Sequence, residues 1–145
     1  MGNSDIKETI KGIKQQFMAY RNGIVADTLR RAGMDCYSVI FGLNLPQLSA
    51  IAASVTASAG LASALWADRK VRESRLLAAY LFPPRSVDRE LARSLMEDVQ
   101  TREEADILCF RLLRHLDFAP ELQALPPLSS PHDAYLRQAL RRFLS

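Results

Sequence analysis

At 145 residues the chain is long enough to bury roughly two thirds of its unfolded surface, so one domain can fold without disulfides or a structural metal. Hydrophobic residues at 48% and charged residues at 24%, with only six Gly and seven Pro, exclude a long low-complexity tail. Nineteen Lys and Arg against sixteen Asp and Glu give a net charge of +3, too mixed for a basic tail, so charge alone leaves nucleic acid as one candidate partner among several.

In chain order, Asp5 with Glu8 predicts a capping box, and Ile6, Ile10, Ile13, Phe17 and Tyr20 follow at helical spacing. Asn22-Gly23 interrupts that helix. Ile24, Val25, Thr28 and Leu29 predict a short second helix ending before Gly33, with Arg30 and Arg31 at its negative end. The stretch from Met34 to Leu45 has strand-like composition but no partner strand elsewhere in the sequence, so it reads as a buried connector. Pro46 suits a first helical turn, followed by Leu48, Ile51, Ala52 and Val55. Ser58 and Gly60 mark a break before a helix over about Leu61 to Ala67.

Two helices then carry apolar residues around most of their circumference. On the first, Val71, Leu76, Leu77, Ala78, Tyr80 and Leu81 form a broad stripe, which leaves Lys70, Arg72, Arg75 and Ala79 for the wet side. Glu73 is expected to pair with Arg69 one turn earlier. Pro83-Pro84 ends this helix, and Ser86 reads as the cap of the next, which carries Val87, Leu91, Leu95 and Val99. Thr101 with Glu104 predicts a capping box for the second broad helix, whose seam is Ala105, Leu108, Cys109, Leu112, Leu113 and Leu116. Ser130 and Pro131 open a last helix with Tyr135, Leu136, Ala139, Leu140 and Phe143 inside and Arg137, Arg141 and Arg142 outside. Two helices per roughly 35 to 45 residues is the spacing of HEAT-type repeats, so the expected fold is an all-α stack of about seven or eight helices.

No Gly-rich phosphate loop, Cys-x-x-Cys or His-Glu-x-x-His sequence occurs, so nothing asks for a cofactor or metal. Cys36 and Cys109 lie far apart, which favours reduced thiols and a cytoplasmic setting. No apolar run approaches the roughly 18 residues that span a bilayer. His115 and His132 lack carboxylates at ligand spacing, and Trp66 reads as core. Asp106, in the first turn of a strongly apolar helix, suits the positive end of the helix dipole.

The segments Phe41-Gly42-Leu43-Asn44-Leu45-Pro46-Gln47-Leu48-Ser49-Ala50-Ile51-Ala52-Ala53, Leu65-Trp66 and Arg72-Glu73-Ser74-Arg75-Leu76-Leu77-Ala78-Ala79, in that order, resemble the AlkD-type DNA alkylation repair family over approximately Phe41 to Leu116. The resemblance implies a superhelix of HEAT-like helix pairs whose basic concave face cradles duplex DNA. It also implies enzymes that cleave the glycosidic bond of positively charged alkylated purines. In that family a catalytic Asp lies one helical turn after a Trp, and Asp106 looks like that Asp, placed to stabilise the cationic sugar as the base departs. Here Arg102 stands one turn before it, and the chain stops at Ser145, short of the family's further repeats.

The expected DNA contacts are Arg69, Lys70, Arg72, Arg102, Arg111 and Arg114, with Asp106 as the catalytic position. The competing expectation is a non-enzymatic helical scaffold. Because a stack of helix pairs leaves an apolar end face, a homodimer or a protein partner at the end repeat is also expected.

Overall fold

The computed structural model describes residues 2–144. The chain is all-helical, with nine α-helices and two 3-10 turns among the described residues, and it divides between Leu81 and Phe82 into two compact units. The amino-terminal unit holds α1 (Asn3–Ala19), α2 (Gly23–Arg31), α3 (Leu45–Ala53), α4 (Ala59–Trp66) and α5 (Arg72–Leu81). The carboxy-terminal unit holds α6 (Arg89–Glu97), α7 (Arg102–Arg111), α8 (Ala119–Gln123) and α9 (Asp133–Leu144), with 3-10 turns at Pro84–Ser86 and Leu113–His115. The five-residue α8 is the helix that periodicity could not resolve.

Helix starts follow side-chain chemistry, though not always at the expected residue. Asn44 and Gln47 form a full capping box at α3, with Pro46 in its first turn. Ser58 is the N-cap of α4 and Gly60 lies inside that helix, so the expected break is a helix start. α1 begins at Asn3 after Gly2 without a side-chain cap, so the expected box at Asp5 and Glu8 does not form. At α6 the cap is Asp88, whose carboxylate accepts from the Leu91 amide at 2.8 Å. Ser86 instead bonds the Pro83 carbonyl within the 3-10 turn. α9 starts at Asp133, two residues beyond Pro131.

α5 is the centre of the amino-terminal unit, packing against α3 and α4. Leu76, Leu77, Ala78, Ala79 and Leu81 are buried, and each leucine so placed contributes about 1.5–3 kcal/mol of transfer free energy. The polar residues expected on a wet side are buried as well: Arg72, Glu73, Ser74 and Arg75 are all below 5% exposure. Each has a partner, because an unpaired buried charge costs several kcal/mol.

Glu73 accepts from the amides of Phe41 (2.9 Å), Gly42 (3.0 Å) and Leu43 (3.4 Å), and Arg72 donates to it at 2.6 Å and to the Leu43 carbonyl at 3.0 Å. Its carboxylate thus pins the 34–45 connector to the start of α5; the expected pairing with Arg69 gives way to this one. Arg75 donates to the carbonyl of Trp66 at 2.6 Å and lies 3.6 Å over its ring, supplying a donor to the last residue of α4.

No strand forms among the described residues, but one parallel bridge joins Val39 to Val71. The connector is buried at Tyr37, Ile40 and Leu43 and exposed at Ser38 and Val39. Arg30 ties its other end by donating to the carbonyls of Tyr37 and Ser38 at 3.1 and 3.0 Å.

In the carboxy-terminal unit α7 packs against α9, and α8 against α9. Ala105, Leu108, Cys109, Leu112, Leu113, Leu136, Ala139 and Leu140 fill the core between them. Thr101 caps α7 by accepting from the Glu104 amide at 3.0 Å, and the buried Glu104 carboxylate reaches back to the Gln100 amide at 2.9 Å, one residue before the predicted partner. The helix expected to run through Leu116 ends at Arg111, and the chain continues as a 3-10 turn.

Candidate nucleic-acid interface

Residues four apart on a helix share a face, so α7 presents Arg102, Asp106 and Phe110 in a row. Asp106 is half-buried on this row. Burial pushes its carboxyl above the ordinary range, opposed by the charges of Arg142 and then Arg102, while Glu103 adds to the upward shift. Arg142 comes from α9, a contributor that sequence reasoning placed only among exposed arginines. Its proximity depends on how α9 packs against α7, which spacing along one helix does not report.

Aromatic rings hold the guanidinium groups of this face. Arg102 lies 4.8 Å over Tyr135 and donates to Gln138 at 2.9 Å, and Tyr135 is itself stacked on His132 at 5.6 Å. Arg114 lies 4.1 Å over Phe110, Arg142 lies 5.1 Å over Phe143, and the two phenylalanines meet edge to face at 5.4 Å. Arg102, Arg114 and Arg142 are exposed, whereas Arg111 is half-buried. A guanidinium resting on a ring loses less freedom when it grips a phosphate, because its orientation is already restricted.

Below the row, burial pushes the Cys109 thiol up to about 12, with the Asp106 charge adding to the effect, so this sulfur stays protonated and unreactive at neutral pH. His115 is exposed and within 3.4 Å of the Arg114 guanidinium. No cluster of three His, Cys, Asp or Glu side chains with metal-binding geometry occurs among the described residues.

The other predicted contacts belong to the amino-terminal unit. Arg69 and Lys70 are exposed in the turn between α4 and α5. Arg72 corrects the expectation of a phosphate contact: it is 4% exposed, and its guanidinium serves Glu73 and the Leu43 carbonyl. Four of the six expected cations, Arg69, Lys70, Arg102 and Arg114, are therefore accessible.

Neither the curated proteins nor the solved structures gave a match. A family model described as DNA alkylation repair enzyme matches residues 13–139, spanning both units and including Asp106. With that match over most of its length, the chain belongs to the DNA alkylation repair enzyme family.

Proposed function

We propose that this chain binds duplex DNA and has lost effective release of alkylated purines. The observation that carries this reading is the charge environment of Asp106, on the α7 face it shares with Arg102, where the charges of Arg142 and then Arg102 act on its carboxyl. A carboxylate that stabilises a departing cationic sugar works through uncompensated negative charge. Here the neighbouring cations offset that charge and burial disfavours it, while the same arginines suit phosphate.

The wild-type protein is expected to bind duplex DNA with log affinity falling linearly with log salt, and to release no methylated purine above the DNA-only rate. Purine release that disappears in Asp106→Asn would overturn the loss of catalysis, and absence of duplex binding near 50 mM salt would overturn the reading as a whole. The same variant has a stability signature. Because the folded-state pKa of Asp106 is raised, the ionised carboxylate costs stability once the pH exceeds the ordinary aspartate value. Asp106→Asn should melt higher than the parent at pH 7, and the gap should close as the pH falls below the ordinary aspartate range.

A second reading, a non-enzymatic scaffold that self-associates through its first helices, is favoured by one observation. Met18, Tyr20, Ile24, Val25, Val39 and Leu45 are exposed, with Ile24 at 81%, and all lie in the first 45 residues. A homodimer by light scattering that becomes monomeric in Ile24→Asp would support it, and a monomer at high concentration would dismiss it. Both readings take the chain as one cytoplasmic domain.

A further inference from the structure

All four lysines of the chain, Lys7, Lys11, Lys14 and Lys70, lie in the amino-terminal unit, and the Asp68 carboxylate ties one of them, Lys14, to the turn that carries Lys70. On α1, Lys7, Lys11 and Lys14 follow one another at four- and three-residue spacing and therefore form a row about 10 Å long. They line a shallow groove with Ile10, Gln15 and Met18. Lys14 meets Asp68 at 3.1 Å, and Asp68 also accepts from Ser74 at 2.8 Å, which fixes the row beside the turn that carries Arg69 and Lys70.

The acids of α1 do not cancel this row. At 100° per residue Asp5 and Glu8 sit about 90° or more around the helix from its centre. Lys7, Lys11 and Lys70 enter no ion pair among the described residues. The imbalance extends to the whole unit, where ten Lys and Arg stand against six Asp and Glu; residues 82–145 carry nine against ten.

We infer that the face formed by Lys7, Lys11, Lys14, Arg69 and Lys70 is a phosphate-backbone anchor for duplex DNA, separate from the ring-supported arginines around Asp106. The inference rests on the DNA-binding reading above and deepens it. An ammonium on a flexible stem is a hydrated point charge that suits attraction without fixed register, in contrast to the bidentate geometry of arginine. A row about 10 Å long matches roughly three phosphates at about 3.4 Å of axial rise per strand. An anionic membrane suits the face less well, because α1 spends Ile13 and Phe17 on the core and keeps Met18 and only parts of Ile6 and Ile10 for insertion.

The test compares the full chain with Lys7→Gln/Lys11→Gln/Lys70→Gln and with the same three lysines changed to Arg. Binding is read on duplex DNA from 50 to 300 mM salt and on phosphatidylserine vesicles. The Gln variant should bind DNA roughly 10- to 100-fold more weakly near 0.1 M salt, with the salt slope reduced by about 2 to 3, while the Arg variant retains both affinity and slope. Unchanged affinity and slope in the Gln variant, with the parent still binding DNA, would overturn the anchor and leave the DNA-binding reading standing. Loss of vesicle binding with DNA binding intact would overturn it in favour of a membrane surface. A parent that binds no DNA sinks both proposals together.

Discussion

Replacing Glu73 with Ala is expected to cost about 3–5 kcal/mol, because it strands a buried guanidinium and three connector amides together. For a domain with about 5–15 kcal/mol of total stability, that is a large share. Urea unfolding should show the midpoint falling by about 2 M, given a slope near 1–3 kcal/mol/M. Glu73→Gln should lie between parent and Ala variant, since the amide oxygen still accepts from the connector while the charge that balances Arg72 is gone. A Glu73→Ala destabilisation of no more than about 0.5 kcal/mol, the size of an ordinary surface change, would mean that the carboxylate does not hold the connector.

Gly42→Ala is expected to be the second costly change, at about 2–4 kcal/mol. Gly42 has φ +90°, and a Cβ there would lie 2.3 Å from the Asn22 carbonyl oxygen and 3.1 Å from the Ala26 nitrogen. Both are backbone atoms at the start of α2, so neither can swing aside as a side chain would. Gly33 provides the control. It has φ +97° but nothing within 4 Å of its would-be Cβ, so Gly33→Ala should carry only the left-handed backbone penalty of about 1–2 kcal/mol. Thermal melts should rank the variants with Gly42→Ala below Gly33→Ala, and the reverse order would refute the close approach of α2.

These two sites mark where sequence reasoning reached its limit. Apolar periodicity identified α5 and the α7 seam because leucines at helical spacing need covering whatever surrounds them. The same periodicity assigned Arg72 and Arg75 to solvent, since charge is normally left wet. What reverses that assignment is a set of backbone groups elsewhere: amides about thirty residues upstream for Glu73 and the end of α4 for Arg75. Backbone partners carry no residue signature, so no spacing rule could have named them. Asn44 with Gln47, by contrast, has the three-residue spacing of a capping box and is legible without the fold.

The candidate site divides in the same way. Arg102 and Asp106 are four apart on one helix, so their proximity was legible from numbering alone. Arg142 and the rings Tyr135 and Phe143 reach the same face only because α9 packs on α7. The lysine row on α1 follows from spacing on one helix, whereas its continuation into Arg69 and Lys70 depends on the Lys14 to Asp68 contact.

Confining every primary amine side chain to residues before 81 makes the two halves chemically unequal. An acylating reagent or an acetyltransferase can discharge only the first of them. The guanidinium charges of the second would pass through such treatment untouched, so the protein's electrostatic character could be altered on one body at a time.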